Sequence, residues 1–413
     1  MTEDLLDQHL NVGTLRRFAA RKLGREELFE AGWHLFLCER CRSLLPEAGH
    51  EAVALFERMF GGAQASYPEA DYVEVTRAVA EKLRRTGVEI ERERSAAGSL
   101  WAELDKHPPT RRLWMVENSS RFQIYGLVEL LLAESRRGWN ENPGRSEELA
   151  ELALAVTYRL ERRLHGPALL NDLKAEAWSY IANCRRIRSG LRSVSEAFDI
   201  AEDFRAQGTG DPFEEADLLS LKASFYRAQR RFAEAIRAVE RAIEIYREAT
   251  DHLAEGHALI KKATILRDQG ETEQAISTLE RAASLVDPSR EPRLLLLVQS
   301  NLALYLNEAG RPLEAEHLLP SARKLAIEVG GGLDRLRVLW IEGLVNRGLG
   351  QTGLAEAALR RAMGGFAEAE IGYDGTLVAL DLAALYLETG RVAEARELAA
   401  EMVPIFATRD VHR

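Results

Sequence analysis

A chain of 413 residues with 46% apolar content can bury a sizeable core, and its net charge of −10 argues against direct nucleic-acid binding, which needs a concentrated basic surface. Three cysteines exclude a disulfide framework and fit a reducing compartment. The longest apolar runs, such as residues 126–133, are too short to span a bilayer, and Glu3, Asp4 and Asp7 stand where a secretory leader would be basic, so the expectation is a cytoplasmic protein with no membrane contact.

The first sixty residues carry the metal-type chemistry. Leu10, Leu15, Phe18 and Leu23 give an amphipathic helical pattern. A turn near residues 23–25 would fold that segment back on a second helix over 26–42. In the second stretch His34, Cys38 and Cys41 lie at i, i+4 and i+7, which puts them on one helix face or on a helix end that curls back. Imidazole and thiolate suit zinc, and a closed structural zinc site takes four ligands. His9 is the first candidate for the fourth, His50 the second. Cys184 reads as a buried core residue. Phe18, Leu28, Phe29, Trp33 and Phe36 supply an apolar side for a small core or a partner helix.

Residues 61–118 read as a charged helical linker that packs rather than reacts, broken by the His107-Pro108-Pro109 run. Two degenerate helical repeats are expected over 119–213, one at 119–160 and one at 175–208, with loops at residues 140–144 and 208–212.

Residues 214–413 repeat with a strict period of 40. Alanines recur at that step at Ala235, Ala275, Ala315, Ala355 and Ala395. Five residues before four of them stands a glycine (Gly270, Gly310, Gly350, Gly390), and before the first stands Arg230. Small residues recur upstream at Ala223, Ala263, Ala303, Gly343 and Ala383, and downstream at Ala242, Ala282, Ala322 and Ala362, with Met402 closing the series. Apolar residues such as Leu259, Ala263 and Leu266 mark one helix face, the glycine caps that helix, and the alanine opens a close helix–helix contact. This pattern resembles tetratricopeptide repeats, lengthened from the family's period of about 34. The resemblance implies a right-handed α-solenoid whose hairpins bury a continuous core and leave a groove for a protein or peptide ligand. Four residues after the small position come Arg227, Arg267, Asn307, Arg347 and Leu387. Arg227, Arg267 and Arg347 are candidate groove residues for an acidic segment or a terminal carboxylate. No catalytic constellation accompanies the repeats, and no enzyme is expected.

The N-terminal motif, an upstream histidine followed by His-x3-Cys-x2-Cys, resembles the zinc-binding anti-sigma family, onto whose ligand positions His9, His34, Cys38 and Cys41 fall. That resemblance covers residues 1–60 and implies a zinc-held helical head that clamps a sigma factor. The whole chain is therefore expected to be all-α, a small zinc-binding domain followed by a solenoid. Two functions suit it: a non-enzymatic regulator with an anti-sigma-like head and a binding scaffold, or a structural scaffold whose zinc domain only caps the array.

Overall fold

The computed structural model describes residues 9–20, 22–24, 27–28, 31–32, 34–35, 38–60, 69–139, 141–160, 165–188, 191–369 and 372–408. Helices are the only regular elements among them, so the expected all-α class holds. The chain divides between Glu89 and Ile90 into two compact units.

In the smaller unit, α1 (Val12–Ala19) starts at Asn11, whose side chain accepts the Thr14 amide, as an N-cap should. Two one-turn helices follow, α2 (Glu39–Arg42) and α3 (Leu45–Ala48), then α4 (His50–Phe60). α1 packs on α3 and α4. Leu15, Phe18 and Leu35 are fully buried in this unit's own core, with Ala31, Leu45, Ala52 and Leu55 around them.

Helix α5 (Glu69–Leu104) contains the division between the units, and α6 (Pro109–Asn118) follows the Pro108-Pro109 break. The stretch read as a linker is thus split. Leu104 at the end of α5 and Val116 on α6 are fully buried in the larger unit's core, because each presents an apolar residue to the first hairpins.

From there the described helices pair in sequence: α7 (Tyr125–Gly138) with α8 (Pro143–Thr157), α9 (Pro167–Arg188) with α10 (Leu191–Arg205), α11 (Pro212–Ala228) with α12 (Phe232–Glu248), α13 (His252–Gln269) with α14 (Thr272–Leu285), α15 (Pro292–Glu308) with α16 (Pro312–Glu328), α17 (Gly332–Gly348) with α18 (Thr352–Glu368), and α19 (Gly372–Glu388) with α20 (Val392–Thr408). From α11 onward, first helices begin at the constant interval read from the sequence, and so do second helices. Ala235, Ala275, Ala315 and Ala355 are fully buried where paired helices meet, as are Ala223, Ala263 and Ala303. At the equivalent Gly343 a Cβ would come within 2.8 Å of Leu359.

From α11 onward the turn within each hairpin is left-handed. Gly270, Gly310, Gly350 and Gly390 have φ between 72° and 94°. The amide that follows each glycine reaches back along the helix it closes, as in Glu271 N to Leu266 O at 2.9 Å, which is a Schellman closure. Arg230 holds the same position with φ 59° and closes the same bond, Arg231 N to Tyr226 O at 2.9 Å. A side chain in this region costs about 1 kcal/mol or more. Arg230→Gly should therefore raise stability by about 1 kcal/mol, less the chain entropy glycine adds to the unfolded state. A denaturant midpoint at or below that of the parent would refute this.

Candidate metal centre and groove

His9, His34, Cys38 and Cys41 come together. Their ligand atoms all lie within 4.8 Å of one another. His34 Nε2 is 3.2 Å from Cys41 Sγ, and His9 Nδ1 is 3.4 Å from Cys38 Sγ and 3.6 Å from Cys41 Sγ. Nitrogen and sulfur ligands about 2.05 and 2.3 Å from one tetrahedral ion would stand about 3.5 Å apart. These three nitrogen–sulfur distances suit the edges of such a tetrahedron, and the group can hold a metal ion.

The local fold explains the convergence. His34 and Leu35 lie in a helical stretch, with Leu35 fully buried. Cys38 leaves the helix with φ −107° and ψ 106° and becomes the N-cap of α2. A single helix through residue 42 is therefore corrected to a helix end that turns back. This turn places Cys41 inside the core, where the Leu10 amide donates to its sulfur at 3.2 Å. Burial is the main cause raising the Cys41 thiol, and the Leu10 hydrogen bond opposes it. The same bond fixes residue 10 and so carries His9 to the cluster. Its ring meets that of His34 edge-on, centroids 6.3 Å apart.

The other candidates fall elsewhere. His50 opens α4, is exposed and is not in the cluster. Cys184 is fully buried in the larger unit, and burial pushes its thiol up to about 12, which makes it inert. Of the apolar side noted in the sequence, Phe18 is fully buried and Leu28 packs against it. Phe29, Trp33 and Phe36 lie outside the described residues.

The arginine row on the hairpins is paired with acids. Arg227 donates to Asp268 at 2.5 Å, Arg267 to Glu308 at 2.5 and 2.7 Å, and Arg347 Nε to Glu388 at 2.8 Å. In each case the acid stands 41 residues later, on the first helix of the next hairpin. Asn307 breaks the row, and Gly348 stands where its acid would be. A Cβ on Gly348 would meet Asn307 Oδ1 at 2.2 Å. Sequence reasoning missed a further member, Arg186 on α9. Ala182-x3-Arg186 repeats Ala223-x3-Arg227 and Ala263-x3-Arg267, but it is displaced by one position from the strict period.

Towards α7 the face becomes acidic. A cavity of about 380 Å³ is lined by Glu129, Asp172, Glu176 and Glu214, with Arg136 and Tyr180 among them. Burial, followed by the charges of Glu176, Asp172 and Asp217, pushes Glu214 up to about 8. Arg136 donates to Asp217 at 3.1 Å, and Asp217 also accepts the Tyr246 hydroxyl at 2.5 Å. Among the described residues no helix is long and apolar enough to cross a membrane.

Residues 214–286 match the tetratricopeptide repeat family. No curated protein matches the chain in sequence. Among solved structures, aspartyl phosphate phosphatase F from Bacillus subtilis is similar at 12% identity and a TM-score of 0.55, over 98% of this chain and 96% of that one. A Rap protein complexed with competence and sporulation factor is similar at 15% identity and a TM-score of 0.53, over 69% and 77%. A signal transduction ATPase with numerous domains and a tetratricopeptide repeat sensor, from Pyrococcus horikoshii, is similar at 16% identity and a TM-score of 0.51, over 99% and 58%. At these identities the likeness is one of fold. The repeat array is of a kind suited to protein–protein contact.

Proposed function

We propose that the protein is a non-enzymatic regulator in which a zinc-held, anti-sigma-like head is joined to a tetratricopeptide scaffold that binds a protein or peptide. The observation that carries this reading is the four-donor cluster, three of whose nitrogen–sulfur distances suit a tetrahedral ion. His9, His34, Cys38 and Cys41 would hold the zinc, which supplies structure rather than catalysis because two imidazoles and two thiolates close the coordination shell. The repeat half is read as the binding arm. A fold of this kind holds competence and sporulation factor in the Rap complex. Arg227, Arg267 and Arg347 remain candidate contacts there, although a ligand carboxylate must compete with Asp268, Glu308 and Glu388 for them.

The alternative is a head that only caps the array. One observation favours the regulator: Leu15, Phe18 and Leu35 are satisfied inside the head's own core, so the head does not need the repeats to bury them. The test is capture from cytosol with the full-length, zinc-loaded protein as bait, alongside Cys38→Ser and a peroxide-treated sample. Thiolates that bind zinc can form a disulfide and release it. Recovery of a sigma factor that is lost in the variant and on oxidation is the expected outcome. A folded, zinc-loaded bait that recovers no sigma factor leaves the structural scaffold.

A further inference from the structure

Among the described residues, the arginine row has one member whose charge has no acid. The rule along the row is that an arginine four residues after the small position meets an acid on the next hairpin, as in Arg227–Asp268, Arg267–Glu308 and Arg347–Glu388. Where Asn307 replaces the arginine, Gly348 replaces the acid, so both members change together. At Arg186 only the acid is gone. The position equivalent to Asp268, Glu308 and Glu388 is Ala228, an exposed residue at the end of α11.

Arg186 is half-buried, and its guanidinium donates twice to one neutral acceptor, Asn183 Oδ1, at 3.2 and 2.8 Å. Lys261 on α13 is in the same condition. Its ammonium is held by Ser220, through the carbonyl at 2.9 Å and the hydroxyl at 2.6 Å. Burial comes first, then the charges of Arg186, Arg136 and Arg227, in pulling Lys261 down to about 7, with Asp217 opposing them. Burial and the Arg227 charge likewise pull Arg186 down to about 10. The helices that carry Arg186, Arg227 and Lys261 are neighbours, α9 packing on α11 and α11 on α13, and the charges of Arg136, Arg186 and Arg227 all act on Lys261. The carboxylates among them are already engaged, Asp217 by Arg136 and Tyr246, and Asp268 by Arg227. Glu176 and Glu214 stand beyond Arg136, around the acidic cavity. Partly desolvated cations that lack counter-charges are costly, and the arrangement is relieved by an anion that accepts from them.

We propose that Arg186, with Lys261 and Arg227 beside it, forms an oxyanion-binding site on the hairpin array, which takes a carboxylate or phosphate group of the bound partner. The identity of the carrier rests on the peptide-binding reading above; the anion site itself does not. Neither Arg186 nor Lys261 was part of the arginine row read from the period, and Arg227 joins the site as the neighbour whose charge is already shared with Asp268.

The test uses the full-length protein and two small probes, inorganic phosphate and acetate, titrated calorimetrically at constant ionic strength against a chloride reference. Arg186→Gln removes the charge and keeps a side-chain donor for Asn183. Ala228→Glu installs the acid the row calls for and so fills the site from within. Saturable binding of at least one probe is expected, with the dissociation constant raised at least about ten-fold in both variants, and with Ala228→Glu melting above the parent in chloride. Phosphate alone, or acetate alone, names the group the site prefers. Variants that bind like the parent, or a folded parent that binds neither probe, would overturn the site. Because no peptide or sigma factor is used, that failure would leave the functional reading to its own test.

Discussion

Chelation of the zinc-loaded protein should unfold the smaller unit and leave the hairpin array folded. Purified protein should carry about one zinc per chain, the content of a single closed four-ligand site. The core of the head is small, and Cys41 is one of its fully buried members. The metal would tie residue 9, a helix end at residue 34 and the turn at residues 38–41 to one point, contacts that are far apart in sequence. Structural zinc of this ligand type contributes about 10 kcal/mol or more in the smallest domains; here Leu15, Phe18 and Leu35 share the work, and a smaller share is expected. The measurable outcome is a two-step melt that loses its head transition in EDTA, while the helical signal of residues 125–408 persists. Cys41→Ser should behave as the chelated parent, since it removes a thiolate ligand, and its shorter hydroxyl must replace the sulfur that accepts from the Leu10 amide. Equal metal content in the parent and Cys41→Ser would sink the site. Acid should act in the same direction as chelator, because histidine must be neutral and cysteine deprotonated to bind the ion.

How far this was legible varies along the chain. The five hairpins from α11 onward were visible because every unit repeats the same physical demands. A small residue is needed where two helices touch, a left-handed residue where the chain turns, and one constant interval separates each demand from its next occurrence. Arg230 shows the limit of the pattern, since it takes φ 59° without being glycine and only the register around it identifies it as a cap. The metal cluster was legible because four chemically distinctive residues recur at a known spacing. The turn that makes it work was only one of the two arrangements the spacing allowed. Between His34 and Cys41 periodicity allows a continuous helix, and it is the capture of Cys41 by the core and by the Leu10 amide that bends the chain at Cys38.

Charge pairing was the least legible feature. The sequence places Arg227, Arg267 and Arg347 in a row, but their partners sit 41 residues later, one step off the repeat period. Reading each hairpin alone cannot reveal a contact made between hairpins. For the same reason the division at Glu89 and Ile90 was hidden. One uninterrupted helix of 36 residues crosses it, and the local pattern of α5 gives no sign of where one core gives way to the other.

Removing both arginines that neutralise Glu255 should cost about 3 to 5 kcal/mol, the range found when a buried charge loses its partner. Glu255 lies on the first turn of α13 and is 2% exposed. Its Oε1 accepts from Arg247 Nε at 3.2 Å and from Arg281 Nη2 at 2.5 Å. Arg247 comes from the end of the preceding hairpin and Arg281 from the second helix of Glu255's own hairpin, so one carboxylate ties α12, α13 and α14 together. The arginines are about half exposed and lose little when freed, whereas the carboxylate cannot reach water without opening the interface. Arg247→Ala or Arg281→Ala alone should therefore cost less than half of the double change, because the remaining arginine still meets the charge. Adding Glu255→Gln to the double variant should restore much of the loss, since the amide removes the uncompensated charge and leaves only unmet hydrogen bonds. Urea melts of the five proteins, followed by helical signal, give the cycle. Additive single losses with no recovery on Glu255→Gln would mean that the arginines act by packing rather than by charge, and the ion triad would then not be what holds these two hairpins in register.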